Sequence, residues 1–327
     1  MNLGAAEKQK DDFVHAKEHL REALMQGRHY GDKNLIAWSL MSLADIAAAG
    51  GDSITAKRMN EEVLAIFRQI GVKMNVAGGL QRLADLELSM ADTRLATQHY
   101  SESFEIFREI GQQLASSYPM CGLGDIFFAA GDLQGARKKY AEALSVREKL
   151  HGNARYIFVN RIKLARLSLE EGNASDAEAS VRQALGGYSA QNEPRAQIEA
   201  DMVMVQALLA QHKLAAAREV VADDRELIVN TQDRVNVLRM DISDALVEAA
   251  TGNSAEAVRG LRTTIEETRS SGFTSLQLEA RLALGETELK AGNLTAARAV
   301  LATLERDAKA KGFMLMARKA AAARKQH

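Results

Sequence analysis

The sequence predicts an all-α solenoid built from one repeated helix pair, on three observations. An alanine recurs at one interval down the chain, as Ala16, Ala56, Ala96, Ala136, Ala177, Ala217, Ala257 and Ala297. Six of the seven steps are 40 residues and one is 41, while alanine makes up only 55 of 327 residues, so the register is not chance. A fixed period of this length marks units that bury their apolar faces against their neighbours. Second, the chain holds only two prolines, which favours long unbroken helices. Third, Gly followed by Asp or Asn recurs just ahead of the alanine, as in Gly51-Asp52, Gly131-Asp132 and Gly252-Asn253. That pair reads as a helix stop and then an N-cap.

The alanine serves as a ruler for each element. Thirteen residues before it stand Leu3, Leu43, Leu83, Leu123, Leu164, Met204, Asp244 and Leu284, nearly all large and apolar. The next position is small: Gly4, Ala44, Ala84, Gly124, Ala165, Val205, Ala245 and Gly285. Four residues after the alanine come Leu20, Asn60, Tyr100, Tyr140, Val181, Val221, Leu261 and Leu301. Small residues let two helices approach, and the large ones fill the grooves beside them. Helix A is expected over 33–49, 73–90, 117–130, 154–171, 193–211, 232–250 and 273–291. Helix B is expected over 13–30, 53–70, 93–110, 133–150, 174–189, 214–229, 254–271 and 294–311. Glycines such as Gly31, Gly71, Gly272 and, one place late, Gly152 close the B helices. Pro119 and Pro194 are expected in the first turn of an A helix, where the missing N–H is harmless. Residues 1–327 then form one solenoid domain, with its first unit cut short and a capping helix over 313–325.

Leu123-Gly124, Phe127, Ala136 and Tyr140 resemble the tetratricopeptide repeat (TPR), and the likeness runs through all eight copies. It implies a right-handed α-α superhelix of about eight helix pairs plus the C-terminal capping helix. The period departs from the usual one of about 34 residues. The Leu-to-Ala spacing of 13 is kept, so the extra residues lie between the alanine and the next unit. Extended repeats of this kind are similar to those that follow a serine/threonine kinase, winged-helix or ATPase switch domain in bacterial signalling proteins. The resemblance implies a non-catalytic scaffold that binds a protein or peptide in its concave groove, the sensor or interaction arm of a larger protein. The alternative it implies is a small-ligand-sensing domain of a transcriptional regulator. The shortened first unit is expected to follow another domain and to offer a surface for self-association.

On helix 33–49, Trp38, Met41, Asp45 and Ala48 share one face at helical spacing, which in TPR proteins points into the groove. Corresponding positions are Gln81, Asp85 and Leu88, then Tyr118, Cys121, Asp125 and Phe128. Asp45, Asp85 and Asp125 are 40 residues apart and are expected to form a carboxylate ladder, able to accept hydrogen bonds from a peptide or to pair with its cations. Trp38, Tyr118 and Phe128 are expected to supply apolar contact.

Other chemistry is thinner. His15-Ala16-Lys17-Glu18-His19 matches the H-x-x-E-H zinc-hydrolase pattern, but it straddles the packing alanine and lacks a third ligand. Asn173 and Asn293 match the glycosylation pattern and fall at the helix B cap position. Neither a cofactor nor a metal is expected. The net charge is −1, with seven Lys or Arg and one Asp from Arg306 onward. A basic tail on an acidic body is not a nucleic-acid footprint. Without an apolar run of membrane length or a signal-peptide pattern in Met1–Lys8, and with one cysteine, the expectation is a cytoplasmic chain without membrane contact.

Overall fold

The computed structural model describes residues 13–187, 194–229 and 231–325. Sixteen α-helices and no strand occur among them. Helix α1 (Phe13–Tyr30) is a B helix; the short A helix expected before it lies outside the described residues. Seven A–B pairs follow. They are α2 (Lys33–Ala49) with α3 (Ser53–Ile70), α4 (Lys73–Ser89) with α5 (Thr93–Glu109), and α6 (Gln113–Ala130) with α7 (Leu133–Lys149). Next come α8 (Ala154–Glu170) with α9 (Ala174–Gly187), α10 (Pro194–Ala210) with α11 (Leu214–Ile228), α12 (Arg234–Ala250) with α13 (Ser254–Ser271), and α14 (Thr274–Lys290) with α15 (Leu294–Ala310). Helix α16 (Met314–Lys325) ends the stack, a TPR solenoid.

The alanine column is the crossing point of this stack. All eight members are at most 1% exposed. The partner columns explain why the site must be small. A Cβ on Gly124 would stand 2.5 Å from the Tyr140 ring, and one on Gly285 would stand 2.5 Å from Leu301. The large residue four places after the alanine therefore occupies the volume that the small A-helix residue vacates. Close packing of this kind leaves no room for added methylenes.

Turns follow the same ruler. Gly51 and Gly131 take left-handed φ values of 90° and 73°, and eight other turn glycines behave alike. Gly152 does not: His151 takes the left-handed position instead, at φ 51°. Asp52, Asp92 and Asp132 cap their B helices, accepting from the N–H of Thr55, Leu95 and Gly135. Asn253 and Asn293 do not cap by side chain; each amide turns back and donates to the carboxylate of Glu248 or Glu288. A carboxylate acceptor makes the stronger bond, which explains the choice.

Pro194 opens α10 as expected, but Pro119 does not open a helix. Helix α6 starts at Gln113, four residues early, and Pro119 lies inside it. The surrounding turns are held from outside the main chain. Ser116 and Ser117 donate to the carbonyls of Gln113 and Leu114. Buried Arg147 donates to the Ser117 carbonyl and hydroxyl, the Tyr156 carbonyl and Asn160 Oδ1, which ties α6, α7 and α8 together.

The stack curls until its second turn meets its first. Ser53 Oγ donates to the Ser271 carbonyl at 2.6 Å, 218 residues away. One unit on, Thr93 Oγ1 donates to the Lys311 carbonyl at 2.8 Å, again 218 residues away. Both hydroxyls stand at the first position of a B helix, and both carbonyls at the end of one. The seam thus repeats with the period of the sequence. Helix α14 packs on α4, and α16 on α6. Arg318 donates to the Gly131 carbonyl, and Lys319 pairs with Glu170 at 2.8 Å. From the basic tail, Arg318 and Lys319 go to this seam, and Glu305 takes Arg324 and Lys309. In α16 Ala317, Ala320 and Ala323 are buried, and Phe313 and Met316 pack against the same cluster as Leu301 and Leu304 of α15, while Met314 is exposed.

Between α10 and α11 lies a buried carboxyl pair, Asp201 and Asp224, 5% and 1% exposed. Gln197 donates to Asp201 at 2.6 Å, while neither Asp224 oxygen meets a fixed donor. Burial pushes both carboxyls up, Asp224 further because Asp201 and then Asp223 add like charge, so the pair shares a proton.

Two outcomes follow. Ala136→Leu should lower unfolding stability by about 1–3 kcal/mol, whereas Lys138→Leu, on the exposed face, should change it little; urea unfolding monitored by circular dichroism compares them. Raised carboxyl pKa values stabilise the fold while protonated. Stability should therefore fall as pH rises from the ordinary carboxylate range toward 8, by about 1.4 kcal/mol per pH unit for each proton retained. Asp224→Asn should flatten that slope in thermal melts across pH.

Candidate functional site

The closed turn surrounds a lumen of about 1620 Å³. Its wall comes chiefly from the A helices, whose inner stripes recur at helical spacing. Helix α12, for instance, contributes Val235, Asn236, Arg239, Ile242 and Leu246. Apolar wall is supplied by Leu88, Phe128, Met202, Val203, Leu282 and Met316, among others.

Charge in the lumen is paired across units. Asp45 binds Arg82 of the next A helix. Asp125 accepts from Lys163 of the next A helix at 2.5 Å and from the Tyr140 hydroxyl at 2.7 Å. Burial works against the Lys163 charge, and the Asp125 carboxylate outweighs it, so the ammonium is held protonated well above its ordinary range. Arg166 lies over the Phe128 ring at 4.9 Å and pairs with Glu279, 113 residues away, at 2.8 Å. This contact joins the two turns through the lumen itself.

Asp85 differs from its two ladder neighbours. No cation is placed against it in the positions Arg82 and Lys163 occupy, because the residues there are Gly122 and Leu123. It accepts from Tyr100 at 2.5 Å and from Gln81 at 3.4 Å. Withdrawal from bulk water raises its pKa, and the Tyr100 hydroxyl offsets part of the rise.

The nine expected groove residues divide. Asp45, Asp85, Asp125 and Phe128 border the lumen; Trp38, Met41, Gln81, Tyr118 and Cys121 do not. Trp38 is 58% exposed, outside the lumen wall. Met41 packs among Ala37, Leu40 and Val63. Tyr118 stacks edge-on with Tyr156 and under Arg147. Cys121 is core, and burial raises its thiol pKa. The ladder exists, but its oxygens are engaged by the chain's own Arg, Lys and Tyr. The sequence reading missed those partners, although Arg82 and Lys163 stand 37 and 38 residues after their aspartates. His15 and His19 lie on α1, and the described residues hold no cluster of three His, Cys, Asp or Glu fit for a metal ion. No helix among them is long and apolar enough to cross a membrane.

Among solved structures, the chain is similar to a Rap protein complexed with Competence and Sporulation Factor, with a TM-score of 0.72 at 12% identity, covering 93% of this chain and 82% of that one. It is equally similar in fold to the Rap conjugation gene regulator of plasmid pLS20 in complex with the Phr* peptide: TM-score 0.72, 13% identity, 100% and 86% covered. A signal transduction ATPase with a tetratricopeptide repeat sensor, from Pyrococcus horikoshii, gives a TM-score of 0.51 at 13% identity, covering 91% of this chain and 44% of that one. At these identities the likeness is one of fold. No curated protein matches the sequence. The profile of the MalT-like TPR region matches residues 92–320, well over half of the sequence, and the chain belongs to that family.

Proposed function

We propose that the chain is a non-catalytic interaction module that takes an extended protein or peptide segment into its lumen, serving as the sensor or interaction arm of a larger signalling protein. The lumen itself carries the reading. Its roughly 1620 Å³ exceeds the ~300–1,000 Å³ of typical small-molecule sites. Most of its charges are already paired, so affinity comes from apolar wall and from hydrogen bonds to the ligand main chain. Two of the structural neighbours are complexes with a signalling factor or peptide, and a third neighbour uses such an array as a sensor. These support the reading by analogy of fold.

The second reading is the small-ligand-sensing domain of a transcriptional regulator, with the ligand bound within the same lumen. The two differ in what occupies the volume. A pool of short random-sequence peptides passed over the immobilised chain should leave a retained subset. Gln206→Trp, which fills the lumen, should abolish retention, while Trp38→Ala and Tyr118→Ala, outside the lumen, should leave it intact. The reverse pattern places binding on the outer face. Retention of no peptide, with a thermal shift on adding a mono- or oligosaccharide panel, supports the second reading.

A further inference from the structure

One stretch of the lumen wall is chemically incomplete. Asn236 is 2% exposed and borders the lumen, yet its Oδ1 has no hydrogen-bond partner. One helical turn on, Arg239 also borders the lumen, and its buried Nη1 has none either. The nearest carboxylate, Glu199 Oε2, is 3.9 Å from Nη1, within ion-pair reach but beyond hydrogen-bond length. Elsewhere in the lumen wall the acid and base side chains mostly find each other. A buried polar atom without a partner costs roughly 1–3 kcal/mol, so two together on one stripe are not an economy of packing. Helix α12 also holds them firmly: Asp233 caps its first turn by accepting from the Asn236 N–H, and Leu238 and Ile242 anchor its buried face.

We infer that Asn236 and Arg239 form a subsite that reads the main-chain edge of one residue of an extended peptide, its N–H donating to Asn236 Oδ1 and its C=O accepting from Arg239 Nη1. This rests on the peptide reading of the lumen. The geometry fits: side chains three apart on a helix are about 5–6 Å apart at Cβ. In an extended strand the N–H and C=O of one residue point to the same side. The charge balance selects the ligand class. Arg239 lies beside Glu199, which stands one unit before it in the same column of the A helices. Its charge is therefore already compensated, while its hydrogen-bonding capacity is not. A neutral amide satisfies both atoms. A free carboxylate would leave Asn236 Oδ1 facing another acceptor and would compete with Glu199.

The test uses the full chain and one peptide recovered from the random pool, synthesised with an acetylated N-terminus and an amidated C-terminus. Its affinity is measured by fluorescence anisotropy for native chain, Asn236→Ala and Arg239→Met. Each variant should weaken binding by about tenfold. The melting temperature of Asn236→Ala without peptide should equal or exceed the native value, because its Oδ1 has no hydrogen-bond partner in the fold. A scan of single N-methylations along the peptide should find one position where native chain loses affinity and Asn236→Ala loses no more. Native-like affinity in both variants, a clear drop in the melting temperature of Asn236→Ala without peptide, or N-methyl losses that add to Asn236→Ala at every position would each overturn the subsite. Retention of no peptide by native chain overturns the peptide reading itself, and the subsite with it.

Discussion

The contact on which the structure depends is the crossing of helices A and B at an alanine. At that point the two backbones approach to a distance only a methyl group allows. The large residue one turn later fills the gap left by the small A-helix residue, as Tyr140 does over Gly124. Because this contact recurs in all seven described A–B pairs with almost no variation in spacing, each unit is placed on the last by nearly the same rotation. A constant rotation makes a helix of helices, and its pitch decides whether successive turns touch. Here they touch after 218 residues, about five and a half units, twice in the same register. Closure is therefore a consequence of the repeat, and the lumen is a consequence of closure.

Closure also changes what the inner surface does. An open groove leaves its charges for a partner. In this chain the A-helix carboxylates are taken by cations one unit on, as with Asp45 and Arg82 or Asp125 and Lys163, and by a cation from the other turn, as with Glu279 and Arg166. Such pairs hold the ring together more than they recruit a ligand, since a desolvated pair already meets its own Coulomb requirement. What remains for recognition is apolar wall and the few hydrogen-bonding atoms the chain leaves unmet. Asn236 and Arg239 hold two of these.

Much of the fold was legible in the sequence because it is local. Helix periodicity, glycine stops and aspartate caps are short-range signals, and α1, α2, α3 and α13 begin and end where the ruler places them. The early start of α6 was not legible. It depends on Arg147 reaching back to Ser117 across 30 residues. The asparagine caps failed for a similar reason, since Glu248 and Glu288 compete for the same amide. The aspartate ladder was legible, but not the cations that reach it: one face of one helix does not reveal what the next helix sends into it. Trp38 shows the same limit. It shares a helical face with Asp45, yet only the C-terminal half of that helix, with Ala44, Asp45 and Ala48, borders the lumen. Curvature is a sum over units, and no single unit displays it.

The central claim is that the second turn closes on the first and so creates the lumen. Spin labels at Ile54 and Ser270, exposed residues flanking the Ser53–Ser271 contact, measure this directly, with Cys121 replaced by alanine. Pulsed electron paramagnetic resonance on the chain without ligand should return one short, narrow distance, and Thr55 with Ser270 should agree. A long or broad distribution in both pairs would mean that the turns stand apart, that the lumen is an open groove, and that the account of closure is wrong.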